Sequence, residues 1–133
     1  MPERPSWKPE YSVRVEELDA QHKHLFSLIG KLFDAMAGAN VRDISRNILS
    51  SLNDYAITHF STEERLLLRF KYDDFSEQKR EHDAFFDTIR DYEKNGSDTF
   101  EKDMLEFLND WLSEHILKVD KKYATFLNNH GVK

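Results

Sequence analysis

The sequence predicts an all-α fold, an up-down-up-down four-helix bundle with an N-terminal arm and a short C-terminal helix, on three observations. Apolar residues recur at three- and four-residue steps, the period of one helix face rather than the alternation of a strand. Helix breakers are scarce: the 133 residues include 4 glycines and 3 prolines, and the prolines, Pro2, Pro5 and Pro9, all precede the first helical stretch. Phenylalanine is abundant, with 10 copies, which suits an aromatic-rich interior between long helices.

The elements follow in order. Residues 1–17 form an arm, proline-rich at first and then extended through YSVRVEEL, with Trp7 and Tyr11 to pin it to the body. The first helix is expected from Asp19 to Ala37, stopped by Gly38, with Leu18, Leu25, Ile29, Leu32 and Met36 on its apolar face. Asn40 caps the second, which runs to Phe70; Ile44, Ile48, Leu52, Tyr55, Leu66 and Phe70 share its phase. Ser76 is the expected cap of the third helix, which turns Phe85, Ile89 and Tyr92 inward and ends near Gly96. Asp98 with Glu101 resembles a capping box opening the fourth, whose stripe is Phe100, Met104, Phe107, Trp111 and Leu112. A short helix over Lys121–Asn129 closes the chain. Connections of a few residues make consecutive helices antiparallel neighbours. Residues 1–133 are thus expected to be one domain, with the bundle and its C-terminal helix over 18–130.

Composition narrows the function. A third of the residues are charged and the formal net charge is −6, which speaks against broad binding to nucleic acid or anionic membranes. There are no cysteines, so disulfides, thiolate metal sites and thiol catalysis are excluded. The first ten residues, MPERPSWKPE, lack the apolar core of a signal peptide, and no run approaches the roughly 20 apolar residues that span a bilayer. A cytoplasmic protein is the expectation.

Several polar residues lie on the apolar faces. His59 and Glu63, four apart, share the inward face of the second helix. His22 lies in phase with Leu18 and Leu25; Gln78 and His82 with Phe75, Phe85 and Ile89; His115 with Trp111 and Leu112. Each helix therefore turns one histidine inward. His24 and His130 are out of phase or terminal and receive no role. A single inward histidine is commonly a hydrogen-bonded core residue. Four would each need a separate partner or cost about 1–3 kcal/mol apiece, whereas one shared metal cluster satisfies them all. Asp120 is the seventh candidate, but five residues from His115 it lies about 140° round an ideal helix. Spacing alone does not select it. Glu64, about 100° off the His59 face, and the charged residues near 77–81 and 101–103 read as solvated.

Imidazole and carboxylate without sulfur suit iron, zinc, manganese or copper rather than calcium or magnesium. Four imidazoles and two carboxylates are too many for one tetrahedral zinc. They fit two octahedral ions bridged by the carboxylates; iron is the natural choice, and the donor set is also compatible with manganese.

The motifs LDAQHKHLF (18–26), HFSTEE (59–64), EHDAF (81–85) and WLSEHILKVDKKY (111–123) resemble those of the hemerythrins, and of the single-domain bacteriohemerythrins in particular. The resemblance implies two non-haem iron ions with an oxo or hydroxo bridge. It assigns His22 and His59 to one iron, His82 and His115 to the other, and Glu63 and Asp120 to both as bridges. It also implies an apolar oxygen pocket at Leu25, Phe60, Trp111, Leu112 and Ile116, and O2 as the ligand, bound reversibly for carriage, storage, sensing or delivery.

There is one departure. Where the family has a second histidine on the third helix, four before His82, this chain has Gln78. It can bind iron through its oxygen, step aside for water, or give way to a nearby carboxylate, Asp74 or Glu81; its inward phase favours a ligand or a hydrogen bond to one. The departure brings a second expectation, a di-iron redox protein handling O2, peroxide or nitric oxide, with oxidase or peroxidase chemistry. A metal-free scaffold is the third. The resemblance itself favours an oxygen-binding protein over an enzyme.

Overall fold

The computed structural model describes residues 4–94 and 99–133, and among them the regular structure is entirely helical. Helix α1 spans Glu16–Ala35, α2 Val41–Arg69, α3 Phe75–Lys94, α4 Phe100–Trp111 and α5 Lys121–Asn129. Between α4 and α5 the chain stays helical but widens into a π-helix over Leu112–Asp120. The predicted C-terminal helix is therefore the last stretch of one long fourth arm, with no loop before it. α1 packs on α2 and α4, and α2 packs on α3, closing the expected bundle.

Most boundaries lie close to their expected places, and the differences have local causes. α1 starts at Glu16, ahead of Asp19, because the Asp19 carboxylate turns back to accept from the Val13 amide at 2.8 Å and from the Ser12 hydroxyl. It ends at Ala35, before Gly38, in a turn whose Gly38 amide bonds the Ala35 carbonyl at 2.9 Å. Ser76 lies inside α3, whose first turn is closed by the Gln78 amide on the Asp74 carbonyl at 3.2 Å. The Asp98 cap and the stop at Gly96 fall outside the described residues. Glu101, expected in solvent, is buried and pairs with Arg42 of α2, its Oε2 accepting at 3.4 Å. Ile44 is 39% exposed, lining a groove with Ile48 of α2 and with Leu28 and Ala35 of α1.

The arm is held by ring contacts. Trp7 meets Phe26 edge-on at 5.6 Å, and Tyr11 stacks on the same ring at 5.4 Å. Arg4 pairs with Asp34 at 2.9 Å, and the Lys121 ammonium donates to the carbonyls of Glu10 and Ser12. Val13 and Val15 pass beneath into the interior.

That interior comes in two apolar clusters. The larger is built from residues such as Leu25, Ile29, Leu52, Phe85, Met104 and Ile116; the smaller from Val13, Val15, Leu18, Leu67, Tyr123 and Leu127. α1 and α2 each cross from one to the other, as does the fourth arm, and at each crossing stands a polar residue: His22 between Leu18 and Leu25, Glu63 between Phe60 and Leu67, Asp120 between Ile116 and Tyr123. A buried polar layer divides the core.

Candidate metal centre

The inward phases of four helices converge in that layer. His22, His59, Glu63, Gln78, His82, His115 and Asp120 are all at most 1% exposed. Their donor atoms face one another. His59 Nε2 lies 2.8 Å from Glu63 Oε1, and His82 Nε2 lies 3.4 Å from the same oxygen. His115 Nε2 lies 3.1 Å from Asp120 Oδ1, and His22 Nε2 lies 3.3 Å from Asp120 Oδ2. Yet all four Nε2 atoms, with Glu63 Oε1 and Asp120 Oδ2, lack a partner aligned as a hydrogen bond. Six orphaned buried atoms would be costly as a packed core. They are oriented toward common points, as donors to a shared cation are. Two groups emerge, His22, His59, Glu63 and Asp120, then Glu63, His82 and His115, with the ligand atoms of each within 4.8 Å of one another.

Asp120 reaches this place because of the π-helix. Its hydrogen bonds run from residue i to i+5, so a residue five along returns to the same face and the 140° offset of an ideal α-helix disappears. The Ile-Leu-Lys-Val between His115 and Asp120 carries no breaker to announce this.

The far nitrogens of the imidazoles are held from behind. His59 Nδ1 donates to Gln21 Oε1 at 2.6 Å, and Gln21 is itself fixed by donating to Thr62 at 3.2 Å. His82 Nδ1 donates to Glu64 at 2.8 Å and His115 Nδ1 to Glu81 at 3.1 Å. Such partners orient the rings with Nε2 toward the centre, and on a neutral imidazole they leave that nitrogen its lone pair. Glu64 and Glu81 thus correct the sequence expectation of solvated acids: each lies off its own helix's inward face but reaches a ring on the neighbouring helix. Sequence reasoning also gave no role to Tyr123, whose hydroxyl donates to Glu63 Oε2 at 2.7 Å.

Burial and pairing compete in the electrostatics. Burial opposes ionisation of Glu63, but the His59 and His82 imidazoles overcome it and hold the carboxyl well below its usual range. Burial and Glu63 push Asp120 up, and His115 and His22 reverse that, so its value too is lowered. Burial lowers His59 despite the pull of Glu63. Burial also works against His115, but Asp120, Glu63 and Glu81 together push it up to about 9. The Tyr55 and Tyr123 phenols are raised well above their ordinary value by burial first and by Glu63 next, so both keep their protons.

The residues from 13 to 127 match the family model described as "Hemerythrin HHE cation binding domain". The chain is 36% identical over 122 residues to a bacteriohemerythrin of Methylococcus capsulatus, covering 90% of this chain and 92% of that one. It is 30% identical over 127 residues to a bacteriohemerythrin of Clostridium acetobutylicum, covering 88% and 96%. The chain belongs to the hemerythrin family. A crystal structure of wild-type hemerythrin superposes with a TM-score of 0.78 at 34% identity, over 92% of this chain and 97% of that one. The hemerythrin fold accounts for the four-helix bundle, and the family's cation-binding character agrees with the converging donors.

Within this hemerythrin chain, the five residues expected around an oxygen pocket are all buried in the larger apolar cluster. Phe60 stacks on His82 with ring centres 3.9 Å apart, and Trp111 stacks on His115 at 4.0 Å. Gln78 points inward as its phase predicts. Its Nε2 donates to Asp120 Oδ1 at 3.1 Å, and its Oε1 has no hydrogen-bond partner. His24 and His130 are exposed and apart from the cluster.

Proposed function

We propose that this chain is a non-haem di-iron protein that binds O2 reversibly, in carriage, storage, sensing or delivery. The observation that carries this is the set of four unpartnered imidazole nitrogens and two carboxylates converging in a dry polar layer. The donor set fits iron: nitrogen and oxygen, no sulfur, two carboxylates placed between two groups of imidazoles. His22, His59, Glu63 and Asp120 would hold one ion, and His82 and His115, with Glu63, the other. A ferrous pair supplies, when bound, the two electrons that O2 takes up and gives back.

The chain's own residues govern whether that exchange stays reversible. Gln21, Glu64 and Glu81 hold three imidazoles in one tautomer and one orientation. Tyr123 donates to Glu63 and keeps that carboxylate from swinging away. Leu25, Phe60, Trp111, Leu112 and Ile116 surround the layer with apolar side chains, excluding the water and outside reductants that would favour onward reaction.

The test is the visible spectrum of the iron-loaded chain, reduced without air, exposed to O2 and then purged. An oxygenated spectrum that appears and disappears over repeated cycles is the expected result. Rapid, irreversible oxidation with release or consumption of peroxide would instead establish the second reading, a di-iron redox protein handling O2, peroxide or nitric oxide. That reading is favoured by one observation, a carboxamide at position 78 within a cluster otherwise made of imidazoles and carboxylates.

A further inference from the structure

The two cation positions of the proposed centre are built from unequal donor sets, and Gln78 accounts for the inequality. Gln78 is 1% exposed, so its amide answers to the polar layer alone. Its Nε2–H donates to Asp120 Oδ1 at 3.1 Å. That oxygen is the one facing His115 Nε2, while Oδ2, facing His22, accepts no hydrogen bond. A carboxylate oxygen that accepts an amide N–H has less electron density to offer a cation on that side. Asp120 thereby offers its free oxygen toward His22 and its hydrogen-bonded oxygen toward His115. The grouping of donor atoms agrees: Asp120 falls within the set of His22, His59 and Glu63, and not within that of Glu63, His82 and His115. One position has four unencumbered side-chain donors; the other has three, and beside them an Asp120 oxygen already engaged by the Gln78 amide.

We propose that the position held by His22, His59, Glu63 and Asp120 is the tight one, and that the position between His82, His115 and Glu63 is exchangeable, with Gln78 as the positioning residue that commits Asp120 to the first. This inference rests on the two-cation reading above. One effect opposes it: Glu64 and Glu81 stand behind His82 and His115 and make those imidazoles better donors. A missing donor outweighs a strengthened one, because it leaves a coordination position to water. The functional consequence is a centre that passes through a half-loaded state, in which the second ion can leave or be replaced while the first remains.

The experiment is an anaerobic titration of the metal-free chain with Co(II), followed by calorimetry and by the visible bands of the bound ion. Two steps are expected, the second weaker by at least about tenfold, the minimum seen when a metal site loses a supporting partner. Gln78→His, which adds an imidazole donor, should tighten the second step. Gln78→Leu, which removes the N–H and adds no donor, should release Asp120 and narrow the gap by less, with helix content by circular dichroism as the check on folding. A second step that weakens in Gln78→Leu would show the amide to be a ligand and overturn the positioning role. Two equal steps in the unaltered chain would overturn the inequality while leaving the two-cation reading intact. Saturation at one ion in both the unaltered chain and Gln78→His would overturn the two-cation reading itself.

Discussion

The pairing of His115 decides how this centre responds to pH. In the metal-free chain its value is raised from 6.5 to about 9, so the imidazole is a cation at neutral pH, held between Asp120 and Glu81. A raised folded value means that the stability from this pairing is complete below 6.5 and is lost as pH climbs through about 9. An incoming metal ion must displace that proton. Uptake at pH 7 should therefore release about one proton at this residue, measurable as a buffer-dependent heat when the same titration is run in two buffers of different ionisation enthalpy. Affinity at the His115 position should also rise with pH until about 9 and then level off; an affinity independent of pH between 6 and 8 would contradict the assignment. The inward histidines were legible in the sequence because each shares a phase with the apolar stripe of its own helix. Glu64 and Glu81 were not, because what they bond lies on a different helix. Helical phase describes one cylinder at a time, and a side chain at the seam between two cylinders is invisible to it.

At the scale of elements, the same limit hid Asp120. A fixed pitch of 3.6 residues places it away from His115, and the sequence between them has no proline, glycine or small-residue pair that would mark a change of pitch. The π-helix is a longer path between the same two points. Removing Lys118, an exposed residue within it, would leave His115 and the aspartate four apart, the spacing at which an ordinary α-helix puts them on one face. The shortened chain should fold, keep its capacity for cations and melt within a few degrees of the parent. Removing the equally exposed Lys122 instead lies beyond the wide turn and should rotate Tyr123 and Leu127 out of the smaller apolar cluster by about 100°. Each such side chain lost from a core costs about 2–5 kcal/mol, so this second deletion should lower the urea midpoint sharply. Equal damage from the two deletions would mean that the π-helix has no slack to give up. The long helices themselves were plain in the sequence, because their apolar stripes are sustained and their connections short. Their ends were less so, since Asp19 and Glu101 form contacts other than those their identities suggest, and Ser76 lies inside α3 rather than at its cap.

For the whole molecule, the proposed cations would complete an interior that the polar layer otherwise leaves with unpartnered groups. A ligand that binds only the folded chain at a thousandfold excess over its dissociation constant adds about 4 kcal/mol of stability. For a domain of this size that is roughly 10 °C or more in melting temperature. Calorimetric scans with iron and with a chelator should differ by at least this amount, and coincident melts would mean that the layer is satisfied by protein alone. The layer also bears on cooperativity. Above and below it lie two separate parcels of apolar side chains, each drawing on the same long helices. With the layer unfilled, the helix backbones that run through both parcels would carry more of the connection between them. A cation gripped by residues from α1, α2, α3 and the π-helix would work as a rivet through that plane, making two small folding units behave as one.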